Sequence, residues 1–198
     1  MGLRIAITGG IACGKSLFSR FLNEKGVDIL DADDVVHRLE APGGAAVERI
    51  RSLFGEKVVR PDGGVDRTVL GGMVFGDQEA RERLNRAVHP LVKQEIREWL
   101  GVPGERLKAV VIPLLFEAGW DNDWDVIVCL VSSEAVQVGR LVRKRGLSCA
   151  QALERIAAQM PVAEKAARSH LVVNNDADAD VLASEAARVY RFLRERSE

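Results

Sequence analysis

The sequence predicts an α/β fold built on a parallel sheet. Short β-like runs alternate with helix-like ones from end to end. The β-like runs are apolar almost throughout instead of at every second position, the pattern of strands covered on both faces. The first of them leads through a glycine-rich turn into a helix, a βα arrangement whose backbone can hold phosphate.

Leu3–Thr8 is that first strand and Lys15–Lys25 the helix. The run Gly9-Gly10-Ile11-Ala12-Cys13-Gly14-Lys15-Ser16 joins them and reads G-x-x-x-x-G-K-S. Glycines at both ends let the chain turn tightly and bring backbone N–H groups to phosphate oxygens. Lys15 is expected to reach the outer phosphates, and the Ser16 hydroxyl to ligate Mg²⁺. Gly10, Ile11, Ala12, Cys13, Gly14, Lys15, Ser16 and Leu17 are therefore the expected binding residues of a nucleoside triphosphate. Cys13, at a helix N-terminus beside Lys15, is expected to have a lowered thiol pKa and to be sensitive to oxidation.

The second strand, Val27–Leu30, ends in Asp31-Ala32-Asp33-Asp34 and a helix over Asp33–Glu40. One Asp suits the helix N-cap. Three carboxylates beside a triphosphate also make sense if one orients or deprotonates an acceptor hydroxyl and another helps hold Mg²⁺ through water. Further helices are expected at Ala45–Phe54 and Glu79–Leu100, with Pro90 predicting a kink or break in the latter. Loops are expected at Pro42–Ala45, Arg60–Gly64 and Gly101–Arg106. The long segment from about residue 32 to 107 lies between the second and third strands. In phosphotransferases of this class, the acceptor site is usually inserted there.

Lys108–Pro113 is the third strand, followed by Leu114-Leu115-Phe116-Glu117. Glu117, just past a central strand, fits either a site near the loop or a surface salt bridge. Asp125–Val131 is the fourth strand, and Glu134–Lys144 is a helix carrying Gln137, Arg140, Arg143, Lys144 and Arg145. A basic run of this kind is either a solvated face or a lid that neutralises the transferring phosphoryl group and excludes water. Ser148 and Gln151 form a capping box for a fresh helix over Cys149–Met160, so the lid would span about 137–160. A fifth strand, Leu171–Val173, and a helix over Val181–Arg196 complete the series. His89 alone more often signals a structural hydrogen bond than a site.

The chain has 198 residues and a net charge of −1, which suits one domain, 1–198, and argues against polynucleotide partners. Cys13, Cys129 and Cys149 lack any metal-ligand spacing and point to a reducing compartment. No run reaches membrane-span length and the N-terminus lacks a signal-peptide layout, so a soluble, cytoplasmic protein is expected.

These motifs, in this order, resemble the dephospho-coenzyme A kinase family over nearly the whole chain. The resemblance rests on the loop from Thr8, Asp31-Ala32-Asp33 after Gly26-Val27, and Asp62-Gly63 with Asp66-Arg67. It continues through Leu70, Val74-Phe75, His89-Pro90 and Pro113-Leu114-Leu115-Phe116-Glu117, then Gln137, Arg140-Leu141, Gln159 and Asn174. It implies a three-layer kinase fold with a five-stranded parallel sheet, a helical acceptor-binding insertion and a lid. The implied activity is transfer of phosphate from ATP to the ribose 3′-hydroxyl of dephospho-coenzyme A, the last step of coenzyme A biosynthesis, with Mg²⁺ as cofactor. Asp33 would orient or accept the hydroxyl proton, Lys15 and Ser16 would hold phosphate and metal, and Arg140 would cover ATP. Asn174 would border the adenine, and Arg67, His89 and Glu117 would serve the acceptor side. A monomer or weak homo-oligomer is expected. Rival readings are another small-molecule or nucleoside monophosphate kinase of this fold, or a non-catalytic nucleotide-binding protein.

Six positions depart from the family pattern. Ala12 and Cys13 stand where Gly and Ser are usual, and Ala12 cannot relieve positive-φ strain as Gly would. Leu17 replaces Thr, Lys144 replaces a second lid Arg, and Ser169-His170 replaces Ala-Asp.

Overall fold

The computed structural model describes residues 2–197. The chain divides into two compact units, one made of the residues up to Leu30 with those from Pro103 onward, the other of Asp31–Val102.

The first unit holds a parallel sheet that is five-stranded among the described residues. Its strands are β1 (Arg4–Gly9), β2 (Val27–Asp31, which reaches the unit boundary), β3 (Leu107–Val111), β4 (Val126–Val131) and β5 (Leu171–Asn174). They lie in the order β2-β3-β1-β4-β5. β1 is thus central, with Ile7 in register with Val111 on one side and Val128 on the other. Ile5, Ala6 and Ile7 are fully buried, as a strand covered on both faces requires. One face is packed by α1 (Lys15–Glu24) and α9 (Ala179–Ser197), whose Phe18, Leu22, Leu182, Ala186, Val189 and Leu193 join the strand residues in one core. Because β1 is central, the loop that leaves it emerges at the middle of the sheet's carboxyl edge, where ligands of open α/β sheets bind.

Three further helices follow β4: α6 (Glu134–Arg145), α7 (Cys149–Ala157) and α8 (Val162–Ala167). The capping box of α7 is present, with Ser148 and Gln151 bonding each other's backbone N–H groups. The single helix expected to Met160 instead stops at Ala157, and α8 begins after Pro161. Pro161 lacks an N–H to continue α7, yet it suits the entry to a new helix.

The second unit is helical: α2 (Ala32–Leu39), α3 (Val47–Phe54), α4 (Arg67–Val74) and α5 (Gln78–Gly101). α2, α3 and α4 pack on α5. Ion pairs from Arg38 to Glu95 and from Arg67 to Glu40 tie the unit together. Asp31 is the N-cap of α2, accepting from the Asp33 N–H at 2.9 Å. The break expected at Pro90 does not occur, because α5 runs through it. Pro90 faces solvent while Val88, Val92 and Ile96 are buried, so packing of that stripe outweighs one missing backbone bond. No helix among the described residues is long and apolar enough to cross a membrane.

Candidate active site

The loop between β1 and α1 needs glycine at its two ends for steric reasons. Gly9 has φ 141°, and a Cβ there would collide with the Leu130 carbonyl of the neighbouring strand. Gly14 has φ 90° and is the N-cap of α1, and a Cβ there would run into the Asn175 side chain. Ala12 takes φ 59°, a left-handed conformation that costs an L-residue with a Cβ about 1–2 kcal/mol.

Side chains take up the carbonyls of this loop one after another. Lys15 Nζ donates to the carbonyls of Gly9 and Gly10 at 3.0 and 2.9 Å. Gln137 Nε2 donates to Ile11 O at 2.7 Å, and Arg140 Nη1 to Ala12 O at 3.1 Å. Asn175 Nδ2 donates to Cys13 O at 2.9 Å. With the acceptors of residues 9–13 held in this way, the loop's negative ends are neutralised. The first-turn N–H groups of α1, which no side chain caps, give the site its positive potential. The Ile11 N–H is itself bonded to Gln159 Oε1 at 2.9 Å, so both sides of that residue are gripped by glutamines.

Arg140 also reaches Ser132 Oγ at 3.1 Å and Asn175 O at 2.8 Å, while Ser132 Oγ donates to the same Asn175 carbonyl. The guanidinium is therefore woven into the loop's support. Arg143, Lys144 and Arg145 behave differently: they are exposed in the last turn of α6, where cations complement the helix dipole.

Glu117 lies in the turn after β3. Its Oε1 accepts from Lys165 Nζ at 2.7 Å and from the Met160 N–H at 3.1 Å. Lys165 is fully buried and also donates to Pro113 O at 3.1 Å. Arg168 pairs with Asp121 at 2.8 Å and lies over the Phe116 ring at 4.7 Å, which braces the same turn. The Arg168 guanidinium holds the Asp121 carboxyl below its ordinary range.

Cys13 corrects an expectation. It is fully buried, and burial raises its thiol pKa, with Lys15 only partly opposing the rise. The thiol is thus protonated and shielded, which removes the basis for oxidation sensitivity. Cys129 beside it in β4 is pushed up to about 11 by the same cause.

Of the residues expected from sequence, Gly10 to Leu17, Arg140, Glu117 and Asn174 belong to the first unit, and the loop and Arg140 are in direct contact. Asn174 closes β5, with its side chain accepting from the Asp176 N–H, while its neighbour Asn175 makes the contact to the loop. Asp33, Arg67 and His89 belong to the second unit. Asp33 is exposed in the first turn of α2. Arg67 Nε is bonded to the buried Glu40 carboxylate at 2.7 Å, which fixes the guanidinium. His89 is half-buried, and its pKa is lowered by burial and by Lys93 one turn along.

Sequence reading missed Asn175, Ser132 and Lys165 as parts of this arrangement. It quoted Gln137 and Gln159 without giving them a role. Their signal was the pairing of two amides at the two ends of the stretch that carries α6 and α7. Among the described residues, no three His, Cys, Asp or Glu side chains converge as a metal cage. Mg²⁺ in phosphoryl transfer takes one or two protein oxygens and completes its shell with phosphates and water. The Ser16 hydroxyl, exposed in the first turn of α1, is a donor of the right kind.

Residues 3–181 match the family described as Dephospho-CoA kinase. The chain is 42% identical over 193 residues to the dephospho-CoA kinase of Anaeromyxobacter dehalogenans, covering 96% of this chain and 92% of that one. The dephospho-CoA kinase structure from Campylobacter jejuni superposes with a TM-score of 0.74 at 25% identity, covering 98% of each chain. The Thermus thermophilus protein TT1252 gives 0.85 at 32% identity, covering 97% of this chain and 98% of that one.

Proposed function

Since the chain belongs to the dephospho-CoA kinase family, we propose that its Gly9–Ser16 loop holds ATP while Asp33 directs the ribose 3′-hydroxyl of dephospho-CoA onto the γ-phosphate. The activity is phosphorylation of that hydroxyl, giving coenzyme A and ADP, the last step of coenzyme A biosynthesis. The observation that carries the residue assignment is the loop itself. Its carbonyls are bonded to Lys15, Gln137, Arg140 and Asn175, and it opens a helix that no side chain caps.

In this reading Gly10 to Leu17 wrap the phosphates with backbone N–H groups. Lys15 exchanges its contacts to Gly9 and Gly10 for phosphate oxygens. Ser16 holds Mg²⁺, which when bound supplies positive charge to the phosphates. Asp33, free of the capping duty that Asp31 performs, accepts or orients the acceptor proton. Arg140 supports the ATP side and Asn174 borders the base. Arg67, His89 and Glu117 serve the acceptor. Positioning and charge neutralisation do most of the catalysis. Asp31–Val102 acts as the acceptor-binding insertion of a single kinase domain, residues 137–160 act as its lid, and the protein works in the cytoplasm as a monomer or weak homo-oligomer.

The test is direct. The protein is mixed with ATP, Mg²⁺ and dephospho-CoA, and the product is weighed by mass spectrometry and its phosphate located by fragmentation. One added phosphate on the ribose 3′-oxygen supports the reading. A phosphate elsewhere, or none, overturns it.

A further inference from the structure

Ala12 is the one non-glycine residue with positive φ among the described residues, and it lies in the middle of the loop that meets the nucleotide. Alanine disfavours this conformation by about tenfold relative to its ordinary regions, whereas glycine adopts it freely. Something must therefore hold it. The Ala12 carbonyl accepts from Arg140 Nη1, and the carbonyls on either side, Ile11 and Cys13, accept from Gln137 and Asn175. Arg140 is in turn fixed by Ser132 Oγ and Asn175 O, so both of its terminal nitrogens are engaged on protein oxygens.

We infer that Arg140 is a positioning residue that keeps Ala12 left-handed, and that nucleotide affinity in this chain depends on that hold because residue 12 has a Cβ. The inference rests on the reading of the loop as the ATP site. If the hold is lost, Ala12 relaxes toward negative φ and the loop is competent in only a fraction of molecules. Apparent affinity then falls by that fraction. A glycine at position 12 has no such preference, so it suffers less from losing the clamp. An arginine acting only through contact with ATP would give no such dependence on residue 12.

The experiment is a double-mutant cycle, with the dissociation constant of ADP measured by calorimetry on wild type, A12G, R140M and the double variant. ADP is chosen because it lacks the γ-phosphate that a covering arginine would serve. A12G alone sets the reference affinity for the double variant, and R140M is expected to weaken ADP by about tenfold. A12G in the R140M background is expected to recover at least about threefold of that loss, a coupling of about 0.6 kcal/mol. A double variant no tighter than R140M, or an R140M variant that binds ADP like wild type, overturns the inference. Should R140M fail to fold, the same cycle is run with R140K, whose single ammonium cannot span the three acceptors, and the same criterion applies. Failure of the wild type to bind ADP is a separate result. It would overturn the assignment of the loop, and the inference with it.

Discussion

Lys165, fully buried, places its ammonium 2.7 Å from Glu117 Oε1, and the same oxygen takes the Met160 N–H just before α8. The Glu117 carboxylate thus joins the turn after β3 to α8 through the ion pair and to the segment between α7 and α8 through the Met160 N–H. The two halves of the pair are unequal, since the Glu117 side chain is 24% exposed and Lys165 is not exposed at all.

That inequality predicts unequal losses. Glu117→Gln leaves a buried ammonium without its countercharge and should cost about 3–5 kcal/mol. Lys165→Met leaves a carboxylate that water can reach and should cost less, about 1–2 kcal/mol. Urea unfolding of both variants measures the difference. Equal losses would mean that the pair does not depend on which partner is buried.

Asp33→Asn should lower kcat by about 10²- to 10⁴-fold, the usual worth of a positioned general base. ATP affinity should stay near wild type, because Asp33 is in the second unit rather than in the loop. Steady-state kinetics with a separate ATP binding measurement give both values. Wild-type turnover would remove Asp33 from the chemistry.

Thiol labelling of the native protein should modify Cys149 quickly and leave Cys13 and Cys129 protected. The first is exposed and the other two are buried, with raised pKa values. Mass spectrometry should show one adduct under native conditions and three after denaturation. Rapid native labelling of Cys13 would contradict its burial.

Stability should fall as pH drops below about 6.5, in part because of His89. Burial and Lys93 lower its folded pKa, so between that value and the unfolded one the unfolded chain binds more protons. The contribution is complete above the unfolded pKa and is lost as pH falls through the folded one. Unfolding free energies at two pH values on either side of 6.5 should differ less in His89→Gln than in wild type.

Much of the sheet was readable because its strands are apolar throughout, and the loop because only glycine fits at positions 9 and 14. α4 escaped notice because Gly71-Gly72 lowers helix propensity. In the structure the Asp66 side chain caps it by accepting from Thr68 and Val69. Lys165 was unreadable for a different reason: a lone lysine on a short helix looks solvent-facing until its burial is seen. The fold gives the change to His170 a physical account. Its Nδ1 accepts from the Ile127 N–H while the His170 backbone N–H donates to Ile127 O, both at 3.0 Å. An imidazole nitrogen there accepts as a carboxylate oxygen would. The carbonyl supports from Asn175 and Arg140 were illegible because they join segments far apart in the chain, and only the sheet order brings them together.

The two glutamines that grip Ile11 also limit how this chain can change length over evolutionary time. Gln137 and Gln159 stand at opposite ends of the α6–α7 hairpin, so residues gained or lost at its tip, around Gly146 and Leu147, leave both in register. A single residue inserted between Gln137 and Arg140 would turn one of the two about 100° away from the loop. Insertions and deletions in related chains should therefore collect at the hairpin tip and spare the first turns of α6.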